Sequence, residues 1–157
     1  MPKIPKQYSI TISICLAVLM FVTCIAGAFV MPTLSEMLIN TKDNIGNRDN
    51  ITALGRVFVL VLAYLILADV VCADVLLFIL LLRVRKGLVF TRKSTELVRG
   101  ISWCCIGLML LFGLLGIYFQ LAFIVAFAAM FLGLCLRVVK NVLEEASDIK
   151  MENDLTV

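Results

Sequence analysis

The run GISWCCIGLMLLFGLLGIYFQLAFIVAFAAMFLGLCL, residues 100–136, decides the fold, because its 37 residues carry no charge. As one helix it would be about 55 Å long, nearly twice the roughly 30 Å hydrocarbon core of a bilayer. Two helices of about 18 residues match that thickness. The break falls at Gly116-Ile-Tyr-Phe-Gln120, where a glycine, an interfacial aromatic and a polar amide come together. The expectation is a tight hairpin of two spans, 101–118 and 120–137.

Two more apolar runs lie upstream. Val57–Leu82 is bracketed by Arg56 and Arg83 and interrupted only by Asp69 and Asp74. Ser9–Met31 is uncharged and stops before Pro32. The reading is all-α: an integral membrane four-helix bundle in one domain, with spans 9–31, 57–82, 101–118 and 120–137. Loop 32–56 connects the first two spans, loop 83–100 the second and third, and a tail occupies 138–157. Composition agrees. The chain is 62% hydrophobic with a mean hydropathy of +1.09. It is 16% charged, where soluble chains carry about 25%.

Lysine and arginine set the orientation, since cytoplasmic segments are enriched in them. Lys3, Lys6, Arg83, Arg85, Lys86, Arg92, Lys93, Arg99, Arg137, Lys140 and Lys150 make eleven on one side, against Lys42, Arg48 and Arg56 on the other. Both termini, loop 83–100 and the tail are therefore expected in the cytoplasm, and 32–56 outside. This count also requires an even number of spans after residue 100. Lys3, Lys6 and Ala26-Gly27-Ala28 imitate a signal peptide, but the apolar run continues through Met31 and reads better as an uncleaved anchor.

Asp69 stands at the middle of its span, where a carboxylate costs about 2.5–3.5 kcal/mol on insertion scales. Its small helical neighbours Ala68, Cys72 and Ala73 imply a close helix contact. Thr23 or Ser13 is a candidate hydrogen-bond partner. One reading is a proton or cation site, or a polar contact that sets subunit pairing; the other is a protonated side chain bonded inside the bundle. Asp74 lies about 140° further round the helix, so the two share no face and make a poor acid–base dyad. Arg137 is its candidate counter-ion.

Loop 83–100 reads as an extension of the second span ended at Gly87, then a short segment capped at Thr91. Its cations Arg83, Arg85, Lys86, Arg92, Lys93 and Arg99 suit anionic lipid headgroups, with Phe90, Leu97, Val98 and Ile101 lying on the membrane surface. Simple topological anchoring explains the same charges, and docking of a cytoplasmic protein is the other reading. In the tail, Val138, Val142, Ala146 and Ile149 form an apolar stripe suited to packing beneath the cations or to a partner helix. The ending Glu152–Val157, with Asp154 and the Val157 carboxylate, is a weaker contact candidate. Ala122, Ala126, Ala129 and Gly133 form a small-residue face for close helix packing, within the chain or in a homo-oligomer. Asn50-Ile-Thr52 matches a glycosylation acceptor.

No cofactor or metal is expected: six cysteines all fall in apolar runs, and histidine is absent. An enzyme is not expected either, since no nucleophile has an evident base.

The run Arg85-Lys-Gly-Leu-Val-Phe-Thr91 with Leu97-Val-Arg-Gly-Ile-Ser-Trp103, and the ending Met151-Glu-Asn-Asp-Leu-Thr-Val157, resemble a YoaS-like family of small bacterial membrane proteins, a domain of unknown function. The resemblance implies four spans in a bacterial cytoplasmic membrane and a helix-turn-helix regulator encoded nearby. It assigns no site residues. The expected function is regulation or sensing through a cytoplasmic partner, or protection against membrane stress, with no direct contact to nucleic acid. The alternative is a small transporter or ion-conducting subunit using Asp69 and Asp74.

Overall fold

The structure is a computed structural model describing residues 6–44, 53–89 and 91–155. These form four helices: α1 (Lys6–Asn44), α2 (Ala53–Arg85), α3 (Arg92–Gly116) and α4 (Leu121–Leu155). All four are long and apolar enough to cross a membrane. The hairpin turn expected at 116–120 is the one observed, with α3 ending at Gly116 and α4 starting at Leu121.

Each helix packs antiparallel on its neighbour in chain order: α1 on α2, α2 on α3, α3 on α4. Among the described residues no other pair approaches, so the expected bundle is an open row and not a closed ring. Narrow stripes make the contacts. Gly55, Val59, Leu62, Ile66 and Asp74 are buried on α2, and Ala122, Ala126, Ala129 and Gly133 on α4. The stripe of small residues on α4 thus lies against α3, and the Ser102 hydroxyl donates across it to the Gly133 carbonyl at 3.0 Å. Outside these stripes the surface is apolar, including Phe29, Ile124, Phe127 and Phe131. Water penalises such a surface, whereas lipid tails solvate it.

Two boundaries and the placement of one side chain differ from expectation. First, α1 does not end at Pro32 but runs on to Asn44, replacing much of loop 32–56 with helix. Proline deprives the carbonyl four residues back of its amide partner. That carbonyl is Ala28, and the Tyr64 hydroxyl of α2 donates to it at 3.3 Å. Ile39 then packs with Val59, next to Leu115, Tyr118 and Phe119, which puts residues 32–40 level with the hairpin turn and not beyond it. Phe58 and Tyr118 meet at the same end, with ring centroids 6.0 Å apart.

Second, residues 92–100 are not a separate segment but the first turns of α3. α2 does stop at Gly87, as expected. Its φ of +76° is the left-handed conformation that ends helices, and the Leu88 amide donates to the Arg83 carbonyl at 3.1 Å. Thr91 caps α3 through its carbonyl, which accepts from the Ser94 amide at 2.8 Å. Its hydroxyl instead reaches Leu88 and Ser94. Third, Val98 is buried within the helix row and so does not lie on a membrane surface. Asn50–Thr52, Phe90 and Val157, and the side chain of Asp154, lie outside the described residues.

Candidate functional site

The two aspartates face opposite sides of α2, as their 140° offset requires. Asp69 points at α3: a Cβ added at Gly107 would sit 3.2 Å from its Oδ2. A side chain there would press on the carboxylate that lies between the two helices. Cys104, one turn from Gly107, lies on the same side of α3, and Oδ2 of Asp69 has no hydrogen-bond partner. Thr23 does not serve it, since its hydroxyl donates to the Leu19 carbonyl of its own helix at 2.9 Å. Asp74 points at α1. It is 2% exposed, lines an apolar hollow with Ala17, Val18, Phe21, Val75 and Phe78, and leaves Oδ1 without a partner. The expected Asp74–Arg137 pair does not form, because Arg137 sits on α4, which α2 does not approach.

Arg137 lies instead over the Trp103 ring, 5.1 Å from its centroid. The two belong to a polar region where the first turns of α3 face the second half of α4. One cleft there is lined by Arg99, Ser102, Trp103, Arg137, Lys140 and Asn141. A second, continuous with it through Arg99 and Lys140, takes in Arg92, Glu96, Glu144 and Asp148. Lys140 donates to Glu144 one turn on. That hydrogen bond, with the positive charges of Lys140, Arg99 and Arg92, holds the Glu144 carboxyl below the usual range. Glu144 stands beyond the apolar part of α4, which ends at Leu136.

The cations named from sequence therefore divide. Arg99 and Arg92 join these clefts, whereas Arg85, Lys86 and Lys93 are exposed around them and Arg83 is half-buried at the end of α2. The apolar stripe of the tail does not pack beneath the cations either. Val138, Val142 and Ile149 are 63%, 60% and 55% exposed, while the opposite face of α4 carries Lys140 and Glu144 against α3. Sequence reasoning missed Trp103, Lys140 and Asn141 as a group. The signal was present in spacing, since Arg99–Trp103 and Arg137–Asn141 are both four apart and so share helix faces.

No curated protein and no solved structure matches the chain. A family model does match, described as a protein of unknown function (DUF2975), over residues 40–157. That match takes in 118 of the 157 residues, including all of α2, α3 and α4, and the chain belongs to this family.

Proposed function

We propose that this chain is a non-enzymatic multi-pass protein of a bacterial cytoplasmic membrane that regulates or senses by holding a soluble partner at its cytoplasmic face. The observation that carries this reading is the form of α4. It runs unbroken from Leu121 to Leu155, about 52 Å, well past the length a bilayer needs. Its second half is braced on α3 by the polar face, and this leaves Val138, Val142 and Ile149 directed outward. A rigid amphipathic helix with its apolar stripe uncovered is the form that a groove on another protein accepts. The eleven-to-three distribution of cations supports placing this end, and both termini, in the cytoplasm. A helix-turn-helix regulator is the leading partner class, on the YoaS-like resemblance. Protection against membrane stress is a variant of the same reading.

Photo-crosslinking residues placed at 142 and 149 in native membranes test it, with 132 as a lipid-facing control. One discrete protein adduct at 142 and 149, absent at 132, is expected. Lipid adducts alone at all three positions would refute it.

A second reading has its own observation: both aspartates leave a buried oxygen unpartnered. It makes the chain a proton- or cation-conducting subunit. Asp69→Asn should then abolish flux in liposomes while leaving the fold intact, and no flux from the unaltered chain under a proton gradient removes this reading.

A further inference from the structure

We infer that Arg99, Arg137 and Lys140, with Trp103 beside them, form a binding site for the phosphate of an anionic phospholipid headgroup in the cytoplasmic leaflet. The inference rests on the membrane placement proposed above but not on the soluble partner.

Charge comes first. Three cations from two helices line one cleft of about 420 Å³, and no carboxylate lines it. The adjoining cleft, which shares Arg99 and Lys140, adds one cation, Arg92, and three acids, Glu96, Glu144 and Asp148, of which Lys140 engages Glu144. Over both clefts four cations face three carboxylates, which leaves one positive charge, and all of the excess lies in the cleft without acids, so a group with net negative charge is favoured there over a zwitterion. The polar atoms also suit a phosphate, since guanidinium groups and an ammonium present several donors to its oxygens. The Asn141 amide adds a further polar group at the same cleft.

Depth comes second, and it is independent of charge. The hairpin turn marks one end of the apolar row. Arg99 stands 19 residues from Tyr118, and Arg137 stands 17 from Gln120. At the rise of an α-helix these are about 28 Å and about 26 Å, close to one hydrocarbon thickness. Both guanidiniums therefore lie where lipid phosphates lie. Trp103 is one turn inside them, at the depth indole rings prefer, and it is 58% exposed. The cleft thus opens sideways to lipid. A free phosphate compound would need no such depth.

Trp103 is the single tryptophan of the chain, so its fluorescence reports on this site alone. The full-length protein is reconstituted into vesicles of phosphatidylcholine, with either phosphatidylcholine or phosphatidylglycerol carrying brominated chains. Quenching by brominated phosphatidylcholine tests the membrane placement. The ratio of quenching between the two lipids tests the site. A cation near the surface favours anionic lipid by about fivefold, so a preference of at least that size is expected. Arg99→Gln and Lys140→Gln should each bring the ratio toward parity, with helicity checked by circular dichroism. Arg99 is exposed whereas the Lys140 side chain is only 16% exposed, so the Arg99 variant keeps the test valid should Lys140→Gln misfold. Arg85→Gln with Lys86→Gln removes two charges elsewhere, twice what either single variant removes, and should leave the ratio unchanged.

Equal quenching by both lipids would overturn the site while leaving the membrane placement standing. An equal fall from the Arg85/Lys86 pair would replace the site with diffuse surface charge. Loss of the preference in millimolar inorganic phosphate would make this a site for a soluble anion and refute the lipid assignment. Absence of quenching by either lipid would overturn the placement and the site together.

Discussion

Replacing Tyr64 by Phe removes one oxygen, and the structure says what that oxygen is for. Pro32 lies inside α1 and leaves the Ala28 carbonyl without an amide donor. The Tyr64 hydroxyl donates to that carbonyl from the next helix. Hydrogen bonds between helices in a membrane average about 0.6 kcal/mol, with a maximum near 1.7. At 3.3 Å this one is long, but the orphaned carbonyl has no competing water in an apolar setting, so about 1 kcal/mol is expected. The variant alone would not identify the cause, since any lost contact costs something. Pro32→Ala supplies the missing amide and restores the bond within α1. In that background the tyrosine hydroxyl is redundant, and Tyr64→Phe should cost close to nothing. Reversible unfolding in mixed micelles, followed by circular dichroism, gives all four corners of the cycle. A coupling near 1 kcal/mol supports the reasoning. Strict additivity of the two substitutions would refute it, and the continuity of α1 through Pro32 would then need another cause.

Three further predictions concern other interfaces. A Cβ at Gly133 would meet the Cys105 Cβ at 3.2 Å, so Gly133→Ala should lose by overpacking, about 1–3 kcal/mol, whatever alanine gains in helix propensity; in a Cys105→Gly background the same change should stabilise. Unfolding measurements on that second cycle check it, and a stabilising single substitution would show that α3 and α4 do not meet there. Gly87→Ala places a Cβ in open space but at a φ of +76°, and should cost about 1–2 kcal/mol in the same assay, with Gly87→Asn costing less. In Lys140→Gln the Glu144 carboxyl loses the donor that holds it down, so its titration by NMR should move to higher pH. For the unaltered chain the sign runs the other way: a depressed value means the pair's contribution is present at neutral pH and fades as pH falls through the Glu144 transition.

The elements readable from sequence were those fixed by neighbours along the chain. The split of residues 100–136 follows from bilayer thickness and from one glycine–glutamine segment. Gly87 follows from helix termination, and the face of Ala122, Ala126, Ala129 and Gly133 follows from helical spacing. The opposed directions of Asp69 and Asp74 came from the same arithmetic. Spacing does not say which helix a face meets. Four antiparallel helices with these stripes are compatible with a ring or a row, and the row decides that Asp74 meets α1 while Arg137 is left to Trp103. Pro32 misled for a similar reason: its effect on α1 depends on Tyr64, which is 32 residues away in sequence. Residues 92–100 misled because their charge suggested a surface loop, although Ser94, Thr95, Val98 and Ser102 bury one continuous face.

The two functional readings place different demands on the row. Conduction needs polar groups that connect across the apolar thickness. Asp69 and Asp74 are about 7.5 Å apart along α2 but open onto different interfaces, one against Cys104 and Gly107, the other against Phe21 and Phe78. An ion passing between them would have to cross the packed body of α2. A platform makes no such demand. It requires only that α3 and α4 be held stiffly to one another, which the small-residue face and the Ser102–Gly133 hydrogen bond accomplish, and that they extend past the apolar layer, which α4 does. The clefts and the Asp69 contact also lie wholly within residues 40–157, the segment matched to the family, whereas the hollow at Asp74 borrows Ala17, Val18 and Phe21 from outside it. A reading meant to hold for the family is therefore better sought at the α3–α4 end, and Arg99, Arg137 and Lys140 are the residues through which to test it.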